Sequence, residues 1–222
     1  LTGWWNGVTT GDFDGDGRLD IVVSNWGANT KYERFRSQPL RLFYGDLDGD
    51  GTVDLIEAHT DQASGKLVPH RPMYSVEKAL PWLLERFPTH ETYARATLEE
   101  IYGDRLKATK ELTATWLEST LFLNRGDHFE AKPLPLEAQL APAFGLCVGD
   151  FDGDGSEDIF LSQNFFATQP EVSRFDAGRG LWLRGDGHGN FTTVPGQESG
   201  VLVYGEQRGC ALSDYDGDGR VD

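Results

Sequence analysis

The chain has 222 residues, enough for one substantial core or two small ones, and its 20 Lys and Arg against 36 Asp and Glu give a formal net charge of -16. That acidity argues against nucleic acid or an anionic membrane surface as a partner. No apolar run approaches the length of a membrane span and no signal peptide is evident, so no membrane insertion is expected.

Taken from the N-terminus, residues 1–59 read as two hairpins in succession, each built around an acidic loop. Trp4 to Thr10 leads into the loop Asp12 to Asp20, and Leu40 to Tyr44 leads into Asp46 to Asp54. The polar, glycine-containing stretch 25–38 connects them. From Tyr74 to about Ser119 the texture turns helical. One helix is expected from Val76 to Phe87 with Pro81 near its start, and a second after an N-capping Thr89, with Tyr93, Ala94, Leu98, Ile101 and Tyr102 at near-helical spacing and Gly103 at its end. A third is expected from Leu106 to Leu117. The block reads as a helical insertion packed against something.

Strand texture returns at 121–129 and recurs at 181–191, in each case apolar alternation around a Gly and Asp turn. Between and after these lie two further acidic loops, Asp150 to Asp158 and Asp214 to Asp222. One loop hairpin plus one plain hairpin makes four strands, and Asp150 and Asp214 stand 64 positions apart. Removing the helical block leaves a similar step from Asp46 to Asp150, so the repeat is a four-stranded unit of about 60 residues, as in propeller blades. The fold class expected is all-β: a β-propeller segment of about three and a half blades of four-stranded antiparallel sheet, with a helical insertion. The expected division is blades at 1–73, the insertion at 74–119 and blades at 120–222. The step of 34 from Asp12 to Asp46 is out of pattern, so either the first blade is abbreviated or both loop hairpins share one sheet.

The loops carry the chemistry. In each of the four, Asp occupies positions 1, 3, 5 and 9 and Gly position 6: Asp12, Asp14, Asp16, Asp20; Asp46, Asp48, Asp50, Asp54; Asp150, Asp152, Asp154, Asp158; Asp214, Asp216, Asp218, Asp222. Two like charges about 4 Å apart at an effective dielectric of about 20 repel by roughly 4 kcal/mol, so four converging carboxylates need a cation. Oxygen ligands without His or Cys select calcium, magnesium or manganese, and the flexible high coordination of calcium suits a loop that adds a main-chain carbonyl at position 7. That carbonyl falls on Arg18, Thr52, Ser156 and Arg220, whose unrelated side chains are what a backbone ligand permits. About four Ca²⁺ ions are therefore expected. The second loop also fits the EF-hand pattern, with Glu57 twelfth from Asp46, but the β-like runs flanking the loops oppose the helices that an EF-hand requires.

With Phe144-Gly145 ahead of Gly149-Asp150-Phe151-Asp152-Gly153-Asp154-Gly155 and Asp158-Ile159, the sequence resembles the FG-GAP or VCBS-type repeat family. These are the calcium-loop blades of integrin α-subunit propellers and of secreted bacterial proteins, including some similar to cartilage acidic proteins. The resemblance implies a β-propeller with calcium in its hairpin turns, an extracellular or periplasmic setting, and binding or adhesion to a protein or glycan ligand more often than catalysis. The Gly-Ala-Pro of the family name is absent, Ser162-Gln163-Asn164 standing after the third loop instead. The chain opens at Leu1 and stops at Asp222, so a segment of a longer, processed protein is expected, its missing blades supplied by unseen sequence or another subunit.

Outside the loops no catalytic set is expected. His59, His70, His90, His128 and His188 are scattered over loops and turns without the spacing of a metal triad. The rival reading from another class is a carbohydrate-active enzyme, a lyase or hydrolase, on a calcium-bearing propeller. Two Arg-Gly-Asp tripeptides, at Arg125 and Arg184, lie in the repeated turn and are read as turn chemistry. Trp4, Trp5 and Trp26 are the tryptophans considered for glycan contact. Cys147 and Cys210 are expected as two buried free thiols on opposite faces of strands in equal register.

Overall fold

The computed structural model describes every residue except Arg36, Glu171, Arg220 and Asp222. The described strands are β1 (Gly7–Gly11), β2 (Asp20–Ser24), β3 (Leu40–Gly45), β4 (Asp54–Thr60), β5 (Leu67–Pro69), β6 (Lys110–Ala114), β7 (Thr120–Asn124), β8 (Phe129–Pro133), β9 (Ala143–Gly149), β10 (Asp158–Gln163), β11 (Leu181–Gly185) and β12 (Phe191–Val194). They form three four-stranded antiparallel sheets, ordered β1-β2-β7-β8, β12-β11-β10-β9 and β5-β4-β3-β6. The fold is all-β and propeller-like, with a short helical insertion. Among the described residues no helix is long and apolar enough to cross a membrane.

The chain divides into two units, one of residues 4–30 and 117–222 and one of residues 1–3 and 31–116. The first holds two sheets in simple meander order. Its β1–β2 hairpin, paired from Gly7↔Ser24 to Gly11↔Asp20, continues to β7 through Ile21↔Phe122 and Val22↔Leu121. The two hairpins of this sheet are thus separated in sequence by residues 31–116 of the second unit. This explains the anomalous 34-residue step: the first blade is interrupted, neither abbreviated nor merged with the second hairpin.

In this unit the strand alternation supplies the core. Asp20, Val22 and Ser24 of β2 turn inward while Ile21 and Val23 are half-exposed. Phe13, Val22, Leu121 and Leu123 from one sheet meet Ile159, Leu161 and Leu183 from the other. Each such burial stabilises by about 1.5–3 kcal/mol. The edge strands β1 and β9 approach so closely that a Cβ on Gly7 would lie 2.2 Å from the Phe144 carbonyl oxygen, which also accepts from Ser24 Oγ at 2.7 Å. A Cβ on Gly145 would in turn lie 2.9 Å from Gly209 Cα and 3.0 Å from Cys210 N. Gly7, Gly145 and Gly209 each stand five residues ahead of a loop's first Asp. Residues 209 and 210 therefore lie beside β9, yet no strand is found among the described residues beyond Val194. Cys210, outside any strand, neighbours the Cys147 thiol, and burial pushes its pKa up to about 12. Both thiols are free, Cys147 buried and Cys210 half-buried, and they are neighbours, not set on opposite faces of strands in equal register.

The second unit holds the third sheet, where the fourth strand, β6, returns to pair with β3 through Leu40↔Ala114 to Tyr44↔Lys110. Residues 110–114 are thus a strand where a third helix was expected, its first turn replaced by the 3-10 segment Gly103–Ala108. Pairing with β3 decides the conformation of these residues. The other helices are shorter than their periodicity suggests: α1 (Met73–Val76), α2 (Trp82–Arg86), α3 (His90–Arg95) and α4 (Leu98–Tyr102), with α5 (Gly196–Ser199) in the other unit. Pro81 starts α2 instead of lying inside a longer helix. Thr89 caps α3 by accepting from Thr92 N, but Ala96 turns extended and Thr97 opens α4 with a capping box to Glu100. The buried Met73, Val76, Leu83, Tyr93, Leu98, Ile101 and Tyr102 of these helices cover Ile56 and Ala58 of β4.

Candidate metal loops

Three of the four loops are the turns joining the first two strands of a sheet, β1 to β2, β3 to β4 and β9 to β10, and the fourth lies at 214–219. Their shape is set by the first Asp and two glycines. Asp12 accepts from Asp16 N at 3.0 Å and Gly17 N at 2.9 Å, and Asp150 accepts from Gly153, Asp154 and Gly155 N at 2.8, 3.1 and 2.9 Å. Asp46 and Asp214 do the same for their loops. The N–H groups of Gly51 and Gly49 hold the Asp46 carboxyl below the usual range. Gly153 and Gly155 both sit at positive φ, 78° and 89°, so the glycine at position 4 is required as much as that at position 6.

The fifth-position Asp16, Asp50 and Asp154 accept from the N–H of Arg18, Thr52 and Ser156, which fixes the backbone at the residues named for carbonyl ligation. Carboxylate oxygens converge within 4.8 Å from Asp12, Asp14 and Asp20, from Asp46, Asp48 and Asp50, from Asp150, Asp152 and Asp158, and from Asp214, Asp216 and Asp218. Positions 1, 3 and 9 thus meet in the first and third loops, and positions 1, 3 and 5 in the second and fourth. Asp16, Asp154 and Asp54 stand outside their trios, and Arg220 and Asp222 lie outside the described residues.

The ninth-position Asp has a further task that spacing alone does not reveal. Asp158, fully buried, accepts from Phe151 N at 3.1 Å within its loop, from Gly185 N at 2.8 Å on β11, and from Trp182 Nε1 at 3.1 Å. Asp20 likewise joins Phe13 N at 3.0 Å to Asn124 N at 2.7 Å on β7. Asp54 accepts from Leu47 N at 3.0 Å. Burial raises the pKa of all three, and the backbone donors offset part of that rise.

The residues fit a hard cation. The donor sets are all oxygen, and Asp14, with a side chain only 10% exposed, keeps a buried Oδ1 with no hydrogen-bond partner among the described residues. Its Oδ2 meets Arg125 Nη1 at 2.6 Å, and in the third loop Arg184 Nε stands 2.6 Å from Asp152 Oδ2, in ion-pair range though out of line for a hydrogen bond. Both arginines of the Arg-Gly-Asp tripeptides are therefore engaged by a loop of their own sheet. Asp186 accepts from His188 N and Asn190 N, closing its own turn. Glu57, the EF-hand candidate, accepts instead from Arg71 and Tyr32.

The tryptophans considered for glycan contact are half-buried and pack against other rings. Trp26 meets Trp4, Phe165 and Phe175 at centroid distances of 5.4, 5.0 and 5.5 Å, and Trp5 meets Phe122 at 6.1 Å. Three histidines are less scattered than they look in sequence: His59, His70 and His90 all line one cavity of the 31–116 unit. Strand pairing produces this convergence, His59 standing opposite Val68 on β5 two residues before His70.

No curated protein matches the chain. Residues 4–33, which hold the β1–β2 hairpin and its acidic loop, match the family model described as FG-GAP repeat.

Proposed function

We propose that this chain is a calcium-binding stretch of β-propeller in an extracytoplasmic protein, extracellular or periplasmic, where it serves as a scaffold for binding or adhesion to a protein or glycan. The observation that carries this reading is the recurrence of one acidic turn four times, with three carboxylates converging in each. In the first and third loops the calcium ligands would be Asp12, Asp14 and Asp20 and Asp150, Asp152 and Asp158, joined by Asp16 and Asp154 and by the carbonyls of Arg18 and Ser156. In the second they would be Asp46, Asp48, Asp50 and Asp54 with the Thr52 carbonyl, and in the fourth Asp214, Asp216, Asp218 and Asp222 with that of Arg220. The metal's task is structural: it offsets the repulsion of clustered carboxylates and fixes the hairpins, while partners engage other surfaces. Further blades come from the rest of the protein or from another subunit. Native mass spectrometry with added Ca²⁺ tests the stoichiometry. About four ions are expected, and a protein that takes up none or one, or that prefers Zn²⁺ at these loops, would refute the reading.

A further inference from the structure

In the unit of residues 31–116, His59 on β4 and His70, just past β5, face each other with their Nδ1 atoms 3.4 Å apart. Aromatic rings hold both imidazoles. Phe35 lies over His59 with centroids 3.8 Å apart and planes at 32°, and Tyr32 lies over His70 at 4.9 Å and 30°. Both histidines also line a cavity of about 620 Å³, and in this strongly acidic chain none of the described residues lining it is Asp or Glu.

Burial first, then the nearby cations, keeps these rings neutral. The pKa of His59 is lowered by burial and by Arg34, and that of His70 falls to about 4 through burial and Lys31, while Asp61 and Glu57 pull in the opposite direction. A neutral imidazole is the ligating form, so protons compete little for this pair near neutral pH. The Nδ1 separation is long for a hydrogen bond, whose usual heavy-atom distance is about 2.9–3.0 Å. It matches two nitrogen ligands at about 2.0–2.1 Å from one tetrahedral ion, which stand roughly 3.3–3.4 Å from each other.

We propose that His59 and His70 together hold one divalent transition ion of the zinc class through their Nδ1 atoms, its remaining positions being filled by water from the adjoining cavity. Imidazole ligands select zinc, copper or nickel, whereas all-oxygen loops select calcium, so the two kinds of site are chemically distinct and this one does not rest on the calcium reading. Lys31 and Arg34 oppose the ion's charge, and Glu57 and Asp61 favour it.

The test is a Zn²⁺ titration by calorimetry, with Co²⁺ absorption alongside, on protein saturated with Ca²⁺. One nitrogen-ligated ion is expected, bound at least about ten-fold more weakly by His59→Gln and by His70→Gln. His128→Gln should bind as wild type, because that ring is 62% exposed and pairs with Asp127. Arg34→Gln keeps both imidazoles and alters an exposed side chain. It should tighten binding several-fold, which tests the site even if a histidine variant fails to fold. Absence of nitrogen-ligated Co²⁺, equal Zn²⁺ affinity in both folded histidine variants, or weaker binding in Arg34→Gln would overturn the proposal.

Discussion

The third loop and the second begin from nearly the same residues and end in different surroundings. At the third, Asp158 is buried and its carboxylate ties the loop to β11, while Arg184 reaches Asp152 from the following hairpin. At the second, Asp54 is half-buried, accepts from Leu47 N, and lies outside the converging trio. The strands leading in differ as well. Gly145, ahead of the third loop, passes against the backbone of residues 209 and 210, whereas the equivalent position ahead of the second loop is Arg41, whose guanidinium meets Glu111 on β6 at 2.7 Å. The loop residues thus set the turn, and the neighbouring strand decides how firmly it is locked.

The largest effect expected from that difference lies at the ninth position. Asp158→Ala leaves three donors without their acceptor, each costing about 1–3 kcal/mol, and should destabilise its unit by at least about 3 kcal/mol. Asp54→Ala removes one such bond and should cost its unit about 1–2 kcal/mol. Denaturant unfolding of the two variants makes the comparison, and equal losses would break it. Next comes the close approach of β1 to β9. Gly7→Ala forces a methyl into the Phe144 carbonyl and should cost about 1–3 kcal/mol, while Arg41→Ala, at the corresponding place before the second loop, should cost less than about 1 kcal/mol. In the helical cover of the third sheet, Thr97→Ala removes a capping box and should cost about 1 kcal/mol, read as a shift in the denaturant midpoint. The smallest effect is expected at Arg184→Gln, about 0.5 kcal/mol, because that ion pair is partly exposed and screened by solvent.

Acid separates the contributions of the loop carboxyls. In calcium-free protein Asp20, Asp54 and Asp158 have folded pKa values raised above 3.8 by burial. Their stabilising contribution is full below that unfolded value and is lost as pH rises through the folded one. Asp46 is lowered from 3.8 by the N–H groups of Gly51 and Gly49, so its contribution is present above 3.8 and is lost as pH falls through the folded value. Protons also displace a bound metal. The difference in melting temperature between calcium-loaded and chelated protein should therefore shrink as pH falls toward the carboxylate range.

Much of this architecture is legible along the chain. Four Asp-rich turns between alternating apolar runs locate the loop hairpins, and the recurrence of Leu121 to Phe129 at Leu181 to Phe191 locates the plain ones. The interrupted first sheet is not legible from periodicity, because β2 and β7 pair across the whole stretch 31–116 and no local signal marks so distant a partner. A clue does stand in the sequence: glycine lies five residues ahead of the first, third and fourth loops, and Arg41 takes that place ahead of the second. For local reasons the helices are shorter than their periodicity suggests. Thr97 and Glu100 form a capping box that restarts a helix, and the exposed Lys110 to Thr113 serve an edge strand. The pairing of His59 with His70 needed the β4–β5 register, which no spacing rule supplies.

The central claim is that metal at the acidic turns is structural, and a thermal melt with and without chelator, run beside native mass spectrometry, tests it most directly. A site held at about a thousand times its dissociation constant adds about 4 kcal/mol, a large share of the roughly 5–15 kcal/mol that stabilises an ordinary domain. The account predicts that stripping the calcium lowers the melting temperature strongly, and that restoring about four ions per chain recovers it. A stripped protein that melts where the loaded one does would contradict it.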